Sequence, residues 1–414
     1  MDEKENRLEE QLIGLVRALV DIPTENHPPN GDEARGQVYI KKLYKKMGLQ
    51  VDVFSPMELY GFAENPAFLH ERDLSGRKNV VGIWKGTGGG RSAVLSGHMD
   101  VAPKEPLPWT VCEPFKSVAR DGKIYGRGAC DMKGGLACAA AALMALKSSG
   151  FVPRGDIIIE SVVDEEYASG NGTIASRLKG YNADFAVVLE PSGMLICPAN
   201  VGSVMVKITI AGNPGMPYTK EKIFNVSYAL GALLLAIKEL EEKRENGEAP
   251  ALWDGAVQKR KMVVTKVKAG EVKPHGQLSS PMDAWVEVSV QTYPGETMES
   301  AVAEVESFIK GKLDNEARVT VTPLYHYIEP AQTDAGHPGV KTLMDCAKRH
   351  IAGTRVTCAP FPCDLFAFQK YGDTPGVIFG PLGGNLHAPD EWVDIESMET
   401  TTKTLCDFLV KWCG

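Results

Sequence analysis

The 414-residue chain is missing most of the marks that would direct it to a membrane, a secretory route or a nucleic acid. No run of apolar residues reaches the roughly 18 that a bilayer-spanning helix needs. The alanine-rich stretch 134–147 (GGLACAAAALMALK) is too short and too small-residued. The opening residues, MDEKENRLEEQL, are charged and lack the apolar centre of a secretory leader. Basic excess is absent too: at a net charge of −8 the chain has no sign of the basic face that holds nucleic acid. The nine cysteines, an odd number scattered from Cys112 to Cys413, show no CxxC spacing, which suits reduced thiols. A cytoplasmic location, no nucleic-acid partner and no membrane association are therefore expected. Internal repeats and low-complexity tracts are missing as well. The run at 87–90 (TGGG) is not followed by the Gly-Lys-Ser/Thr of a phosphate loop, so it is a turn before a strand.

What is present is ordinary globular material: 43% hydrophobic and 24% charged residues, in a length that suggests two or three domains. Leu8, Leu12, Leu15 and Leu19 recur at helical spacing and predict an amphipathic helix over 6–20. A proline-rich loop (21–32), a helix over 33–47, a strand over 49–54 and an irregular connection over 60–79 follow. Short strands are predicted at 79–84 and 123–125, and apolar strands of the parallel-sheet type at 91–97, 155–163, 183–189 and 374–379. Between about 203 and 325 the texture changes. There the stretches 203–210 and 285–290 alternate with period two, and long helices are predicted over 223–244 and 298–312. The fold class expected is α/β: a mixed, largely parallel sheet flanked by helices, formed by 1–202 and 326–414, with an inserted α+β domain over 203–325.

His98, Glu165, Glu166, Glu190 and His387 all fall just beyond the C-terminal ends of predicted strands. That is the edge where the active sites of open α/β sheets assemble. Asp131 sits in a glycine-flanked bend (YGRGACDMKGG, 125–135) ahead of the alanine-rich helix. Helix-terminal N–H groups favour an anion there. Each residue alone has a bland explanation: an N-cap for Asp131, a hydrogen-bonded loop histidine for His98, a solvated strand end for Glu165 and Glu166. Their convergence on one edge favours a metal instead, because two imidazoles and three or four carboxylates form a mixed N/O donor set suited to Zn²⁺ or a similar ion. Asp131 is the candidate bridge between two ions spaced roughly 3.5–4 Å apart. Asp131, Glu166, Glu190 and a bridging hydroxide would balance the charge of two such ions. Glu165 is then left as a general base beside the metal-bound water. Asp100, two residues after His98, is placed to orient that imidazole by accepting its other N–H.

Five segments occur in a telling order: SGHMDVAP (96–103), YGRGACDMKGGLA (125–137), DEEYASGNGT (164–173), LEPS (189–192) and NLHAPDEWV (385–393). Together they resemble the di-zinc aminoacylase family of metallopeptidases. That family includes acetylornithine deacetylase, succinyl-diaminopimelate desuccinylase and glutamate carboxypeptidase. The resemblance implies His98, Asp131 and Glu190 on one zinc and Asp131, Glu166 and His387 on the other, with Co²⁺ or Mn²⁺ as alternative metals. It implies Glu165 as general base and acid, Asp100 as the partner of His98, and a lid over 203–325 through which two chains commonly form a homodimer. The implied reaction is hydrolysis of an N-acyl group (acetyl, succinyl or similar) from a small amine or amino acid, by a water bridging the two ions. A dipeptidase or carboxypeptidase, and a deformylase acting on an N-formylated heterocyclic amine, are the alternatives. The non-enzyme alternative is a degenerate relative that only binds its ligand. In the family, Glu rather than Asp at the position of Glu190 marks deacylases.

Two positions depart from the pattern. Met216 stands where the lid usually carries a histidine that helps hold the oxyanion, and a thioether has no N–H to donate. Ser289 and Gln291 stand where the lid strand usually reads Asp-x-Arg. A substrate carboxylate would then lose a bidentate guanidinium partner. His275 and His326 are candidates to replace it.

Overall fold

Four apolar strands, every residue of them buried, make the parallel centre of a nine-stranded sheet. Ile157–Val162, Ala93–His98, Ala186–Val188 and Gly376–Ile378 lie side by side in that order, and each neighbouring pair is parallel. Strands covered on both faces can be apolar throughout, which is why their sequences do not alternate. Antiparallel strands extend the sheet on either flank. Asn79–Trp84 and then Gln50–Phe54 join beyond Ile157–Val162, and Ile196–Asn200 joins beyond Gly376–Ile378.

The protein is represented by a computed structural model that describes residues 3–167, 170–213, 224–253, 259–269, 281–313, 317–324 and 327–414. Two compact units divide the chain. The first comprises Met1–Ala199, Ala331–Ala359 and Cys363–Gly414; the second comprises Asn200–Pro330 and Pro360–Pro362. The nine-stranded sheet belongs to the first.

The helix Gly134–Ser148 is the central support of that unit. Its alanines leave no polar face, and it packs between the helices Ile395–Cys413 and Glu3–Val20. By length and hydropathy the stretch Ala129–Ser148 resembles a membrane span, yet 83% of its apolar window is buried inside the unit. Small residues allow close approach: a Cβ on Gly135 would collide with the carbonyl oxygen of Leu189, at the end of a central strand. The bend that carries Asp131 is thereby pressed against the sheet edge that carries Glu190.

A separate four-stranded sheet runs Gly383–Gly384, Trp392–Asp394, Lys123–Tyr125, Val118–Arg120, antiparallel throughout. It ties the loop holding His387 to the strand that leads into the Asp131 bend.

The second unit follows a different rule. Its sheet order is Met262–Ala269, Asp283–Thr292, Gly202–Ala211, Arg318–Pro323, all antiparallel. Burial alternates residue by residue along Asp283–Thr292, as expected of a sheet with one packed face. Helices Val226–Glu245 and Met298–Lys312 cover that face, burying Val206, Ile208, Val286, Val288, Leu233 and Val305. Met216, His275 and His326 lie outside the described residues.

Candidate active site

Because the four central strands are parallel, their C-terminal ends share one edge, and the first unit gathers the expected side chains there. His98 ends the strand Ala93–His98 and is buried. Its Nε2 faces Asp131 Oδ1 at 3.2 Å, Glu190 Oε1 at 3.6 Å and Glu165 Oε2 at 3.8 Å. His387 approaches from the other side, with Nε2 3.2 Å from Asp131 Oδ2 and 3.0 Å from Glu166 Oε2. Asp131 therefore turns one carboxylate oxygen to each imidazole. Two trios offer ligand atoms within 4.8 Å of one another: His98 with Glu165 and Glu190, and His98 with Asp131 and Glu166.

The electrostatics are those of anions crowded out of water. Burial raises the pKa of Glu165, Glu166 and Glu190, and their carboxylate neighbours raise them further. Burial alone would lower His98, but Asp131, Glu190 and Glu165 hold it well above its usual value. Glu166 and Asp131 do the same to His387. Burial works against the Asp131 anion, yet the bonds from His387 and His98 keep it far below the usual carboxylate range. Mutually repelling carboxylates and two imidazoles on both sides of one aspartate are a donor set that fits divalent cations, with Asp131 able to serve two at once.

Local structure explains how each side chain is aimed. Asp131 lies in a tight turn, Ala129–Lys133, with extended dihedrals inside it (φ −112°, ψ 96°), and the helix Gly134–Ser148 starts directly afterwards. The N-cap of that helix is Lys133, with no side-chain cap bond, so the plain N-cap reading of Asp131 falls. The buried carboxylate of Glu391 binds the main chain ahead of the helix, accepting from Gly128 N–H at 3.0 Å, Cys130 N–H at 2.9 Å and Asp131 N–H at 3.1 Å. His387 sits in a loop with left-handed Asn385, His387 and Asp390 (φ +56°, +55° and +58°). That loop is pinned by Asn385 donating to the Asp390 carbonyl at 3.1 Å, and by Asp390 accepting from Thr110 N–H at 2.8 Å and Val111 N–H at 2.9 Å.

Asp100 takes a different part from the one its spacing suggested. The nearest acceptor to His98 Nδ1 is the Asp100 backbone carbonyl at 2.8 Å, whereas its carboxylate stands 3.8 Å away. Oδ2 of that carboxylate accepts from Glu166 N–H at 2.9 Å and from Asn26 at 2.7 Å. A two-residue spacing turns the main chain, rather than the side chain, under the ring.

Behind the Glu165–Glu166 pair lies a buried layer that sequence reasoning missed. Asp164, in the left-handed region at φ +67°, is held by Arg72 at 2.5 Å, Arg77 at 2.8 Å and Asn171 at 2.8 Å. Arg77 also pairs with Glu33, and Asn26 joins Arg72 to Asp100. Asn26 comes from the proline-rich loop, and Arg72 and Arg77 from the irregular connection over 60–79. Neither segment has a period that could have flagged them.

Comparison with known proteins agrees with this geometry. Residues 94–411 match the family model for peptidase family M20/M25/M40. A Bacillus subtilis N-formyl-4-amino-5-aminomethyl-2-methylpyrimidine deformylase is 27% identical over 100% of this chain and 97% of its own. A Methylobacterium radiotolerans succinyl-diaminopimelate desuccinylase is 29% identical over 76% of this chain and 79% of its own. Among solved structures, a Saccharomyces cerevisiae di-peptidase superposes with a TM-score of 0.75 at 14% identity, covering 99% of this chain and 97% of the other. A dinuclear metal-binding peptidase of Bacillus subtilis superposes with a TM-score of 0.66 at 16% identity, covering 99% of each chain. The chain belongs to peptidase family M20/M25/M40 and is a metal-dependent amidohydrolase.

Proposed function

We propose that this amidohydrolase uses two divalent ions, zinc first among them, to remove a formyl or similarly short acyl group from a small heterocyclic amine. The observation that carries the substrate class is Gln291. By the family resemblance it stands where an arginine usually meets a substrate carboxylate, and its own amide is committed within the second unit. Oε1 accepts from Lys261 N–H at 2.8 Å, and Nε2 donates to the Pro360 carbonyl at 3.0 Å. Ser289, its companion, bonds Ser203 at 2.9 Å. A neutral amine needs no guanidinium, and the relative named for deformylation aligns from end to end. Acetyl, succinyl and peptide substrates carry the second reading, favoured by the desuccinylase-named relative.

His98, Asp131 and Glu190 would hold one ion, and Asp131, Glu166 and His387 the other. When bound, the metals supply Lewis acidity, making water nucleophilic near neutral pH and polarising the amide carbonyl. Glu165 takes the proton from the attacking water and delivers it to the leaving amine nitrogen. Its Oε2 lies 3.8 Å from His98 Nε2, beside the atoms that would hold the ions. The Asp100 carbonyl holds the proton of His98 on Nδ1, which leaves the Nε2 lone pair for a ligand.

The test is a panel of N-formyl, N-acetyl and N-succinyl derivatives of small amines and amino acids, with dipeptides, assayed on metal-replete enzyme. The N-formyl heterocyclic amine should give the highest kcat/KM. A higher value for an N-succinyl amino acid would replace the deformylase with a desuccinylase.

A further inference from the structure

The Asp131 bend is gripped by a carboxylate 260 residues away in sequence. Glu391 is fully buried and makes four charge-assisted bonds. Oε1 accepts from Cys130 N–H and Asp131 N–H, at 2.9 Å and 3.1 Å. Oε2 accepts from Gly128 N–H at 3.0 Å and from Arg127 Nη1 at 2.7 Å. Every partner is a donor. A carboxylate satisfies all four; a glutamine in either orientation would aim its NH₂ at N–H groups. Arg127, 1% exposed, is itself fixed by Glu105 and lies over the Trp109 ring, 5.5 Å from its centre. The pairing of Trp392–Asp394 with Lys123–Tyr125 brings Glu391 to the bend. One loop thus delivers both His387 and the group that clamps the backbone of Asp131.

We propose that Glu391 is a positioning residue for the shared metal ligand, resting on the two-metal assignment made above. It satisfies the donors ahead of the helix Gly134–Ser148 and fixes the main chain at Asp131. The two carboxylate oxygens then point to His98 and His387 before any ion arrives. Without the clamp, those donors would turn to water or to Asp131 itself, and binding a metal would first have to reorganise the turn. Groups that orient ligands in this way are typically worth roughly 10–100-fold in metal affinity.

The test uses the full-length, metal-stripped chain, with Zn²⁺ and Co²⁺ as probes in competition against a chromophoric chelator. Glu391→Gln should weaken metal binding by roughly 10–100-fold. It should also alter the visible absorption of the Co²⁺ form, and saturating metal should recover turnover. An unchanged affinity and Co²⁺ spectrum, with only a lower melting temperature, would overturn the proposal. If that variant does not fold, hydrogen exchange on the unsubstituted protein decides. The amides of Gly128, Cys130 and Asp131 should be protected without metal; fast exchange until metal is added would overturn the clamp. Asp131→Asn separates the premise from the inference. Retention of two ions by that variant removes Asp131 as their shared ligand, and with it the premise. Loss of metal by Asp131→Asn, beside an unweakened Glu391→Gln, removes only the clamp.

Discussion

The two sheets of this protein bury different things. In the first unit, Glu33, Arg72, Arg77, Asp100, Arg127, Lys133, Glu160, Asp164, Arg177, Asp364 and Glu391 are all buried, in addition to His98 and Glu190 among the ligand candidates. In the second, Arg244 is the one charged residue buried among the described residues, and the interior is otherwise mostly valine, isoleucine, leucine and alanine. Taking ions out of water is expensive, and pairing them seldom does more than offset that cost. The first unit therefore gives up packing energy to hold directions, while the second is built for cohesion. Substitutions should sort accordingly: turnover in one, stability in the other.

The sharpest test of that division is Glu165→Gln. It should lower kcat by about 10²–10⁴-fold, the contribution usual for a general base, while metal content measured by atomic emission stays that of the unsubstituted enzyme. Loss of metal instead would make Glu165 a ligand. Next comes Ile208→Ala, at a fully buried position in the middle of the second sheet. A cost of about 2–5 kcal/mol in urea unfolding of the second unit is expected, with the metal affinity of the first unaltered. A changed affinity would show that the two units do not divide the labour. The smallest effect belongs to Thr297→Ala. The Thr297 hydroxyl accepts from Ser300 N–H at 3.2 Å, while Ser300 Oγ accepts from Thr297 N–H at 2.9 Å. Removing that cap should cost about 0.5–2 kcal/mol, read from the same unfolding curve, with kcat unmoved.

The difference between the units also governs what was legible before the structure. Apolar runs and alternation are local signals, so Asn79–Trp84 and Met298–Lys312 were placed to the residue and Ala93–His98 to within two. Strand ends then located His98, Glu165, Glu166 and Glu190 on one edge, because parallel neighbours end together; His387 arrives instead on the loop between Gly383–Gly384 and Trp392–Asp394 of the small antiparallel sheet. Glu391 lies within the segment NLHAPDEWV (385–393), but nothing in it announces that its partners are main-chain N–H groups some 260 residues upstream. Arg72, Arg77 and Asn26 were hidden for a related reason: their partners are single residues in other segments, and an ion pair leaves no period in either one. Asp100 was recognised as a support for His98, but which of its oxygens faces the ring depends on main-chain dihedrals that spacing does not encode.

The position of Gly376–Ile378 bears on how the molecule is made. That strand lies between Ala186–Val188 and Ile196–Asn200, so the interior of the large sheet receives one of its middle members from nearly the end of the chain. While residues up to about 370 emerge from the ribosome, both neighbours expose unpaired edges, open to annealing with another nascent copy. Closing that gap over almost 190 residues makes folding slow. Occupancy of the full ligand set must wait longer still, since His387 is translated after the strand that completes the sheet.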